Sequence, residues 1–200
     1  MTASERPDVV VRRPRMTAGR EADLLEAARD VLRLTGYEAL TMDAVAARGH
    51  CSKATLYRQF GTKPKMIAKA MRGARPTHPD PIDTGSLRDD LVALVHRIAD
   101  DVAEVTPLVT AVSHAALRDP ELAAAVRESV IAPDAAQVEE FLARAVERGE
   151  LSRRPAAADH LVRLAFSVTT AGGLFDATAV DAAYLTRLID DLVMPALLHG

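Results

Sequence analysis

The chain has 200 residues, with 48% hydrophobic and 4% aromatic side chains and a net charge of −3 at pH 7. This composition excludes a disordered chain and predicts one large or two small domains with a core of Ala, Val and Leu. Cys51 is the single cysteine, which excludes an internal disulfide or a cysteine-bound metal centre. The longest uncharged stretch, residues 105–117, has 13 residues, fewer than the roughly 18 that a membrane span needs. The charged start of the chain lacks the apolar segment of a signal peptide. We therefore expect a soluble, cytoplasmic protein that uses no membrane and no cofactor.

Charge is distributed unevenly along the chain. Residues 1–75 contain 15 basic and 8 acidic side chains, whereas residues 76–200 contain 10 and 20. The stretch from residue 44 to residue 79 has eight basic and no acidic side chains. A cationic N-terminal third on an acidic body favours a polyanionic partner, with nucleic acid first and an anionic membrane second. A solvated basic surface is the alternative, although such a surface usually interleaves some acidic residues.

The first 72 residues are predicted to form a basic arm followed by a helical domain. Apolar residues recur at helical spacing, and Gly36 follows the first such stretch as a candidate left-handed cap. Thr41, Ser52 and Thr62 each precede a short helical pattern, as N-caps do. The predicted segments are a flexible arm at 1–19 and, within a domain at 20–72, helices at 20–34, 42–48 and 53–60 and a fourth helix that Thr62 caps and that runs to about residue 72.

Prolines and glycines mark a predicted linker at 73–85, and a second helical domain is predicted over 86–200. Its recurring pattern is helical periodicity, and neither strand alternation nor an internal repeat is found. The fold class is therefore all-α, with an N-terminal three-helix domain that contains a helix-turn-helix and a C-terminal helical bundle. The helices predicted in the bundle are 87–104, 107–117, 120–130, 134–148, 156–171 and 181–198.

The second and third predicted helices are too short to be stable alone, and a four-residue turn separates them. They are expected to pack as a helix-turn-helix, whose second helix presents one face to the major groove of duplex DNA. Ala54, Phe60 and, in part, Leu56 are predicted to face inward. A guanidinium can read guanine, whereas ammonium and hydroxyl groups bind phosphates. The predicted DNA-binding residues are Thr41, Ser52, Lys53, Thr55, Tyr57, Arg58 and Lys63.

The string Ser-Lys-Ala-Thr-Leu-Tyr-Arg-Gln-Phe-Gly-Thr-Lys, residues 52–63, follows a Thr-capped helix at matching spacing. Over about residues 20–70 the chain resembles the DNA-binding module of the TetR family of transcriptional regulators. The resemblance implies a homodimer in which each chain supplies one recognition helix to a pseudo-palindromic duplex operator. It also implies a repressor whose C-terminal half dimerises and binds a small-molecule effector that releases it from the operator.

The turn departs from the family's usual Ala-Gly-Val, because this chain has Gly49-His50-Cys51. His50 then occupies the position usually given to glycine, so either the turn is strained or Gly49 adopts the left-handed conformation. Cys51 is predicted to be a small buried hydrophobe. Tyr37 is predicted to pack in the core, with phosphate contact as the alternative.

Two sets of residues in the C-terminal domain are candidates for the functions that the resemblance implies. Thr110, Ser113 and His114 lie in the least charged segment and are candidates for the effector pocket, with plain core packing as the alternative. Apolar residues of the last two predicted helices are suited to a four-helix interface across a two-fold axis. The predicted dimer residues are Leu161, Leu164, Val168, Leu185, Leu188 and Leu192.

Other kinds of site find little support in the sequence. His96 and Asp100 have helical ligand spacing but lack a further nearby histidine, so we predict no metal site. The chain contains none of the common catalytic motifs, so we predict no enzymatic activity and no catalytic residues. Arg12, Arg13 and Arg15 are expected either to enter a minor groove or to make no fixed contact. A basic-headed helical adaptor for an anionic membrane or a protein partner is the alternative function.

Overall fold

The computed structural model describes residues 17–73, 81–99, 102–175 and 180–199. Every regular element in these ranges is helical, as the sequence predicts. Most of the predicted arm, including Arg12, Arg13 and Arg15, lies outside the described residues. Its last three residues belong to the first helix rather than to an arm, because Thr17 caps that helix through the backbone N–H of Arg20 at 3.3 Å.

Helix α1 spans Ala18–Ala39 and is longer than predicted at both ends. It is kinked at Gly36, where φ is +73°. A residue with a Cβ is destabilised by about 1–2 kcal/mol in this left-handed conformation. Glycine avoids this cost, and the kink accordingly lies at the glycine predicted to cap the helix. One further turn ends at Leu40, whose N–H donates to the carbonyl of Gly36 at 3.2 Å.

Three short helices follow α1 within their predicted bounds: α2 (Met42–Arg48), α3 (Lys53–Phe60) and α4 (Lys63–Arg72). Each is capped as predicted. The hydroxyls of Thr41, Ser52 and Thr62 accept from the N–H three residues further on, at 3.1, 3.2 and 3.4 Å. Local capping decides these boundaries, because a short helix has few other ways to satisfy its first N–H groups.

The next two helices, α5 (Leu87–Ala99) and α6 (Val102–Ala116), differ from their predicted bounds. The predicted start of α6 at residue 107 is wrong, because Pro107 lies inside the helix. Proline removes one hydrogen bond there. The burial of Leu108 and Val112 against the N-terminal helices compensates for that loss.

The predicted helices 120–130 and 134–148 form one continuous helix, which we call the long rod. It consists of α7 (Pro120–Val126), a π-helical segment (Arg127–Ile131) and α8 (Ala132–Glu147). In the π segment the N–H of Ala132 donates to the carbonyl of Arg127, five residues back. A widened turn of this kind accommodates Pro133, which lies between the two predicted helices. Gly149, with φ of +77°, ends the rod as predicted.

The remaining elements are α9 and a second rod at the C-terminal end of the described chain. A 3-10 turn (Ala156–His160) leads into α9 (Leu161–Phe175). This second rod, which we call the C-terminal rod, contains α10 (Ala182–Leu188), a second π segment (Ile189–Val193) and α11 (Met194–His199). The predicted helices at 156–171 and 181–198 correspond to these two elements.

Two hydrophobic cores hold the helices together. The first core joins α1–α4 to α6 and to the first half of the long rod, through Leu108, Val112 and Leu122. The second core joins α5, α8, α9 and the C-terminal rod around Phe141 and Leu142. The four N-terminal helices therefore do not bury their core alone, but complete it against the C-terminal half.

Candidate nucleic-acid interface and ligand cavity

Helix α3 divides into a buried face and an exposed face. Leu56 and Phe60, four residues apart, are buried in the first core. Lys53, Tyr57 and Arg58 are exposed. Ala54 is also exposed, so its predicted inward position is wrong, and Leu56 is fully rather than partly buried. The reason is the 100° turn per residue, which places a side chain two positions before Leu56 on the opposite side of the helix.

The exposed residues of this face differ in the contacts they make. Lys53 Nζ donates to Asp43 Oδ2 at 2.7 Å, which joins α3 to α2 and raises the pKa of Lys53. The hydroxyls of Ser52 and Thr55 lie 2.9 Å apart and share a hydrogen bond. Tyr57 and Arg58 have no hydrogen bond or ion pair with the described residues. Thr41, which caps α2, is also exposed.

Lys63 has a different environment from the other predicted DNA-binding residues. Its Nζ donates to the carbonyl of Tyr37 at 2.6 Å and lies 4.2 Å from the centre of the Tyr37 ring. Partial burial lowers the pKa of Lys63. This ammonium group therefore lies against the end of α1, and the phosphate contact predicted for it from the sequence stays a prediction.

Tyr37 is buried, and its hydroxyl donates to Asp119 Oδ2 at 2.7 Å. Burial raises the pKa of Tyr37, and the hydrogen bond to the Asp119 carboxylate raises it further. Of the two interpretations offered by the sequence, core packing is therefore the one observed. The contact also links α1 to the turn that precedes α7.

In the turn between α2 and α3, the structure shows which of Gly49 and His50 adopts the left-handed conformation. His50 adopts the left-handed conformation, with φ of +49°, whereas φ of Gly49 is −85°. Gly49 is required for space instead, because a Cβ there would lie 2.7 Å from Leu24 Cδ2. Cys51 is half-buried against the first core, less deeply than predicted.

Arg20 stabilises the turn between α2 and α3, a contact that the sequence does not reveal. Its Nη2 donates to the carbonyls of Gly49 at 2.6 Å and His50 at 3.1 Å. The neighbouring Glu21 accepts from Gln59 Nε2 at 2.9 Å and pairs with Lys69 of α4. The first turn of α1 therefore holds both the turn and α3, and no local sequence signal marks contacts that span 29 to 48 positions.

A cavity of about 110 Å³ lies in the C-terminal half. It is lined by α5, α9, the C-terminal rod and the middle of the long rod, and 15 of its 17 lining residues are apolar. The two polar residues are Asp134 and Thr169. The Thr169 hydroxyl donates to the carbonyl of Ala165 in its own helix. Four elements that are distant in the chain form this cavity, so the sequence alone does not reveal it.

The predicted effector residues lie away from this cavity. Thr110 and His114 are exposed on α6, and the half-buried Ser113 donates to the carbonyl of Val109 at 2.6 Å. None of the three lines the cavity. The low charge of their segment instead reflects the burial of Leu108 and Val112 on the other side of α6.

The predicted dimer residues fall into two groups. Leu161, Leu164, Leu185 and Leu188 line the cavity, whereas Val168 is half-buried on α9. Leu192 is 50% exposed, and Tyr184 and Leu198 on the same rod are 38% and 48% exposed. The structure thus brings four of these residues to the cavity and leaves Leu192 exposed on the C-terminal rod.

The described residues offer no site for a metal ion and no membrane span. His96 Nε2 lies 3.0 Å from the Thr186 hydroxyl, and Asp100 is outside the described residues. Within the described ranges, no three His, Cys, Asp or Glu side chains cluster as metal ligands would. In the same ranges, no helix is long and apolar enough to cross a bilayer.

An exposed α3 above a braced turn defines a helix-turn-helix DNA-binding protein, and comparisons with known proteins specify its kind. Residues 24–70 match the family described as "Bacterial regulatory proteins, tetR family", and residues 81–192 match "Tetracyclin repressor-like, C-terminal domain". The DNA-binding transcriptional repressor TetR of Mycobacteroides abscessus is 32% identical over 190 residues, covering 90% of this chain and 95% of that protein. An HTH-type transcriptional regulator of Mycobacterium tuberculosis is 32% identical over 179 residues, covering 89% and 88%.

Solved structures show the same fold. The crystal structure of a TetR family transcription regulator has a TM-score of 0.63 at 26% identity and covers 88% of this chain and 97% of that chain. FadR of Bacillus subtilis, solved in complex with stearoyl-CoA, has a TM-score of 0.62 at 14% identity and covers 88% and 96%. The chain belongs to the TetR family, and it is a DNA-binding transcriptional regulator.

Proposed function

We propose that this protein is a repressor that binds a pseudo-palindromic operator as a homodimer and leaves it when an apolar effector occupies the C-terminal cavity. The observation that carries the proposal is the exposed face of α3. Leu56 and Phe60 anchor this helix from inside, while Arg58, Tyr57 and Lys53 face outward. A helix fixed in this way can enter a major groove without rearrangement.

The roles of the outward residues follow from their chemistry. The Arg58 guanidinium suits the O6 and N7 atoms of a guanine. The Tyr57 hydroxyl suits a phosphate oxygen, as does Lys53 Nζ once it turns away from the exposed Asp43 carboxylate. Ser52, Thr55 and Thr41 contribute hydroxyls at the starts of α3 and α2. Lys63 stabilises the motif from behind through Tyr37.

The homodimer is supported by the outer face of the C-terminal rod. Tyr184, Leu192 and Leu198 are large apolar side chains that solvent reaches along one rod. Apolar residues exposed along one element are typical of a surface that pairs with a second copy across a two-fold axis. We assign Leu192 to this interface, while Leu161, Leu164, Leu185 and Leu188 line the cavity behind it.

Effector release is supported by the position of the long rod. Val130, Ile131 and Val138 of this rod line the cavity, and Arg72 in the last turn of α4 pairs with Asp134 of the same rod at 2.9 Å. A ligand that binds better to one position of the rod therefore shifts the population of α4 positions. The two recognition helices of a dimer must match half-sites roughly 34 Å apart, so a small shift at α4 lowers operator affinity.

Selection from a random duplex pool tests the proposal, with sizing of the selected complex by light scattering. The expected result is a palindromic consensus bound by two chains, with an affinity that falls steeply as salt rises. A pool that yields no consensus at low salt, or a complex with one chain on one half-site, contradicts the proposal.

A further inference from the structure

The ligand cavity contains one ionisable side chain among its lining residues, Asp134. Of the other lining residues, Thr169 uses its hydroxyl within its own helix and the rest are apolar. A ligand in such a cavity takes its affinity from apolar burial and its orientation from the few polar groups present. The charge of Asp134 therefore decides which charge the ligand carries.

Asp134 also belongs to the connection with the DNA-binding helices. Its Oδ1 accepts from Arg72 Nη1 at 2.9 Å, while Arg72 itself does not line the cavity. The Arg72 side chain is 46% exposed, and that of Asp134 is 23% exposed. The guanidinium can return to water at little cost, whereas the less exposed carboxylate is the group that a cationic ligand would stabilise.

We propose that the effector is a lipophilic cation, an apolar body with one protonated nitrogen, which takes the place of Arg72 at Asp134. This inference deepens the proposed effector function and rests on it. An anionic ligand would face the Asp134 carboxylate without a basic residue in the described lining. A neutral ligand of the same shape would leave the pair between Arg72 and Asp134 in place. A cation replaces the guanidinium and so removes a link between α4 and the long rod.

Three probes of similar shape test the charge. Phenethylammonium is the cation, propylbenzene is its neutral isostere, and 3-phenylpropanoate is an anion of similar size. Calorimetry measures the binding of each to the full chain and to three variants, Asp134→Asn, Arg72→Gln and Glu128→Gln. Glu128 serves as the matched control, because it is an exposed carboxylate on the same rod that does not line the cavity.

The expected pattern separates charge recognition from a structural effect. Asp134→Asn weakens phenethylammonium binding about tenfold or more, as the loss of a charged hydrogen-bond partner does. Arg72→Gln tightens it, because the competing guanidinium is gone. Glu128→Gln leaves it unchanged, and the affinity for propylbenzene is the same in all four proteins. A misfolded variant would lose both ligands, which thermal unfolding also detects.

Duplex release distinguishes failure of this inference from failure of the proposed function. Phenethylammonium is expected to weaken duplex binding by the unmodified chain, whereas Asp134→Asn, which already lacks the link between α4 and the long rod, is expected to bind the duplex more weakly without ligand and to be unaffected by the cation. The inference is overturned if the cation fails to bind, binds no better than propylbenzene, or is unaffected by Asp134→Asn. In those cases operator binding and release by a neutral ligand would leave the proposed function intact. Failure to bind any duplex would remove the proposed function, while calorimetry would still decide the charge preference.

Discussion

Arg58 is an exposed arginine on α3 that makes no hydrogen bond or ion pair with the described residues. Its guanidinium is therefore available to a base edge without breaking an internal contact. We expect Arg58→Ala to cost about 1–3 kcal/mol of discrimination at one base pair of the operator. Binding to duplexes that differ at this base pair, compared before and after the substitution, measures the effect. An equal loss on all sequences would assign Arg58 to the phosphates instead.

Lys63 distinguishes an internal contact from a phosphate contact. Because Nζ donates to the Tyr37 carbonyl, we expect Lys63→Ala to lower the melting temperature and leave the salt dependence of DNA binding unchanged. A phosphate contact would instead reduce the slope of log affinity against log salt by about one. Titrations at several salt concentrations separate the two roles, and a reduced slope would restore the role predicted from the sequence.

The turn before α3 carries strain that a substitution can relieve. His50 has φ of +49°, and glycine adopts this region at no steric cost. We expect His50→Gly to raise the free energy of unfolding by about 1 kcal/mol, less the extra entropy that glycine gives the unfolded chain. Urea unfolding measures the change, and a clear loss of stability would contradict it.

Gly49→Ala is the matched control for this turn. It adds a Cβ 2.7 Å from Leu24 Cδ2, so we expect it to destabilise the protein. The opposite signs of the two neighbouring substitutions follow from their different reasons. His50 is strained in its backbone, whereas Gly49 is confined by the side chains of α1.

At the scale of elements, Asp90 holds the segment that enters the C-terminal half. This fully buried residue accepts from the backbone N–H of Thr84 at 2.7 Å and from Arg144 Nη2 at 3.0 Å. Burial alone would raise its pKa, but these donors outweigh burial and lower it. Ile82, buried in the second core, and Thr84 show that the end of the predicted linker packs on α5 and α8.

A lowered pKa in the folded state predicts how the stability depends on pH. The contribution of Asp90 is present above the unfolded pKa of about 3.9 and is lost as the pH falls through the lower folded pKa. We expect Asp90→Asn to cost about 1–3 kcal/mol at pH 7 and to make the decline in stability below about pH 4 shallower. Urea unfolding from pH 7 to pH 3 measures both, and an unchanged acid limb would assign the acid sensitivity to other carboxylates.

At the scale of the whole molecule, the exposed apolar residues of the C-terminal rod are expected to hold two copies together. Leu192→Glu places a charge in that interface, so we expect a single-chain species by light scattering. Operator affinity should then fall to that of one half-site. Leu117→Glu is the matched control, because Leu117 is 84% exposed but directly follows α6 and is not part of this rod. A dimer that survives Leu192→Glu would place the interface elsewhere.

The sequence by itself determined the all-helical class, the bounds of α2 and α3 and the outward positions of Lys53, Tyr57 and Arg58, although not that of Ala54. These properties depend on caps at Thr41 and Ser52 and on apolar residues four positions apart, which are signals carried within a few residues. The family was recognisable for the same reason, because residues 52–63 contain both the caps at Ser52 and Thr62 and the exposed side chains of α3.

Only the tertiary structure decided the rest. Whether a proline ends a helix depended on packing with other elements. Pro107 lies inside α6, and Pro133 lies inside the long rod. The inward turn of Lys63, the brace from Arg20 and the cavity around Asp134 each join residues far apart in the chain. Contacts of this kind leave no periodic or local trace in a sequence, since their energy comes from the packing of elements whose arrangement local patterns do not specify.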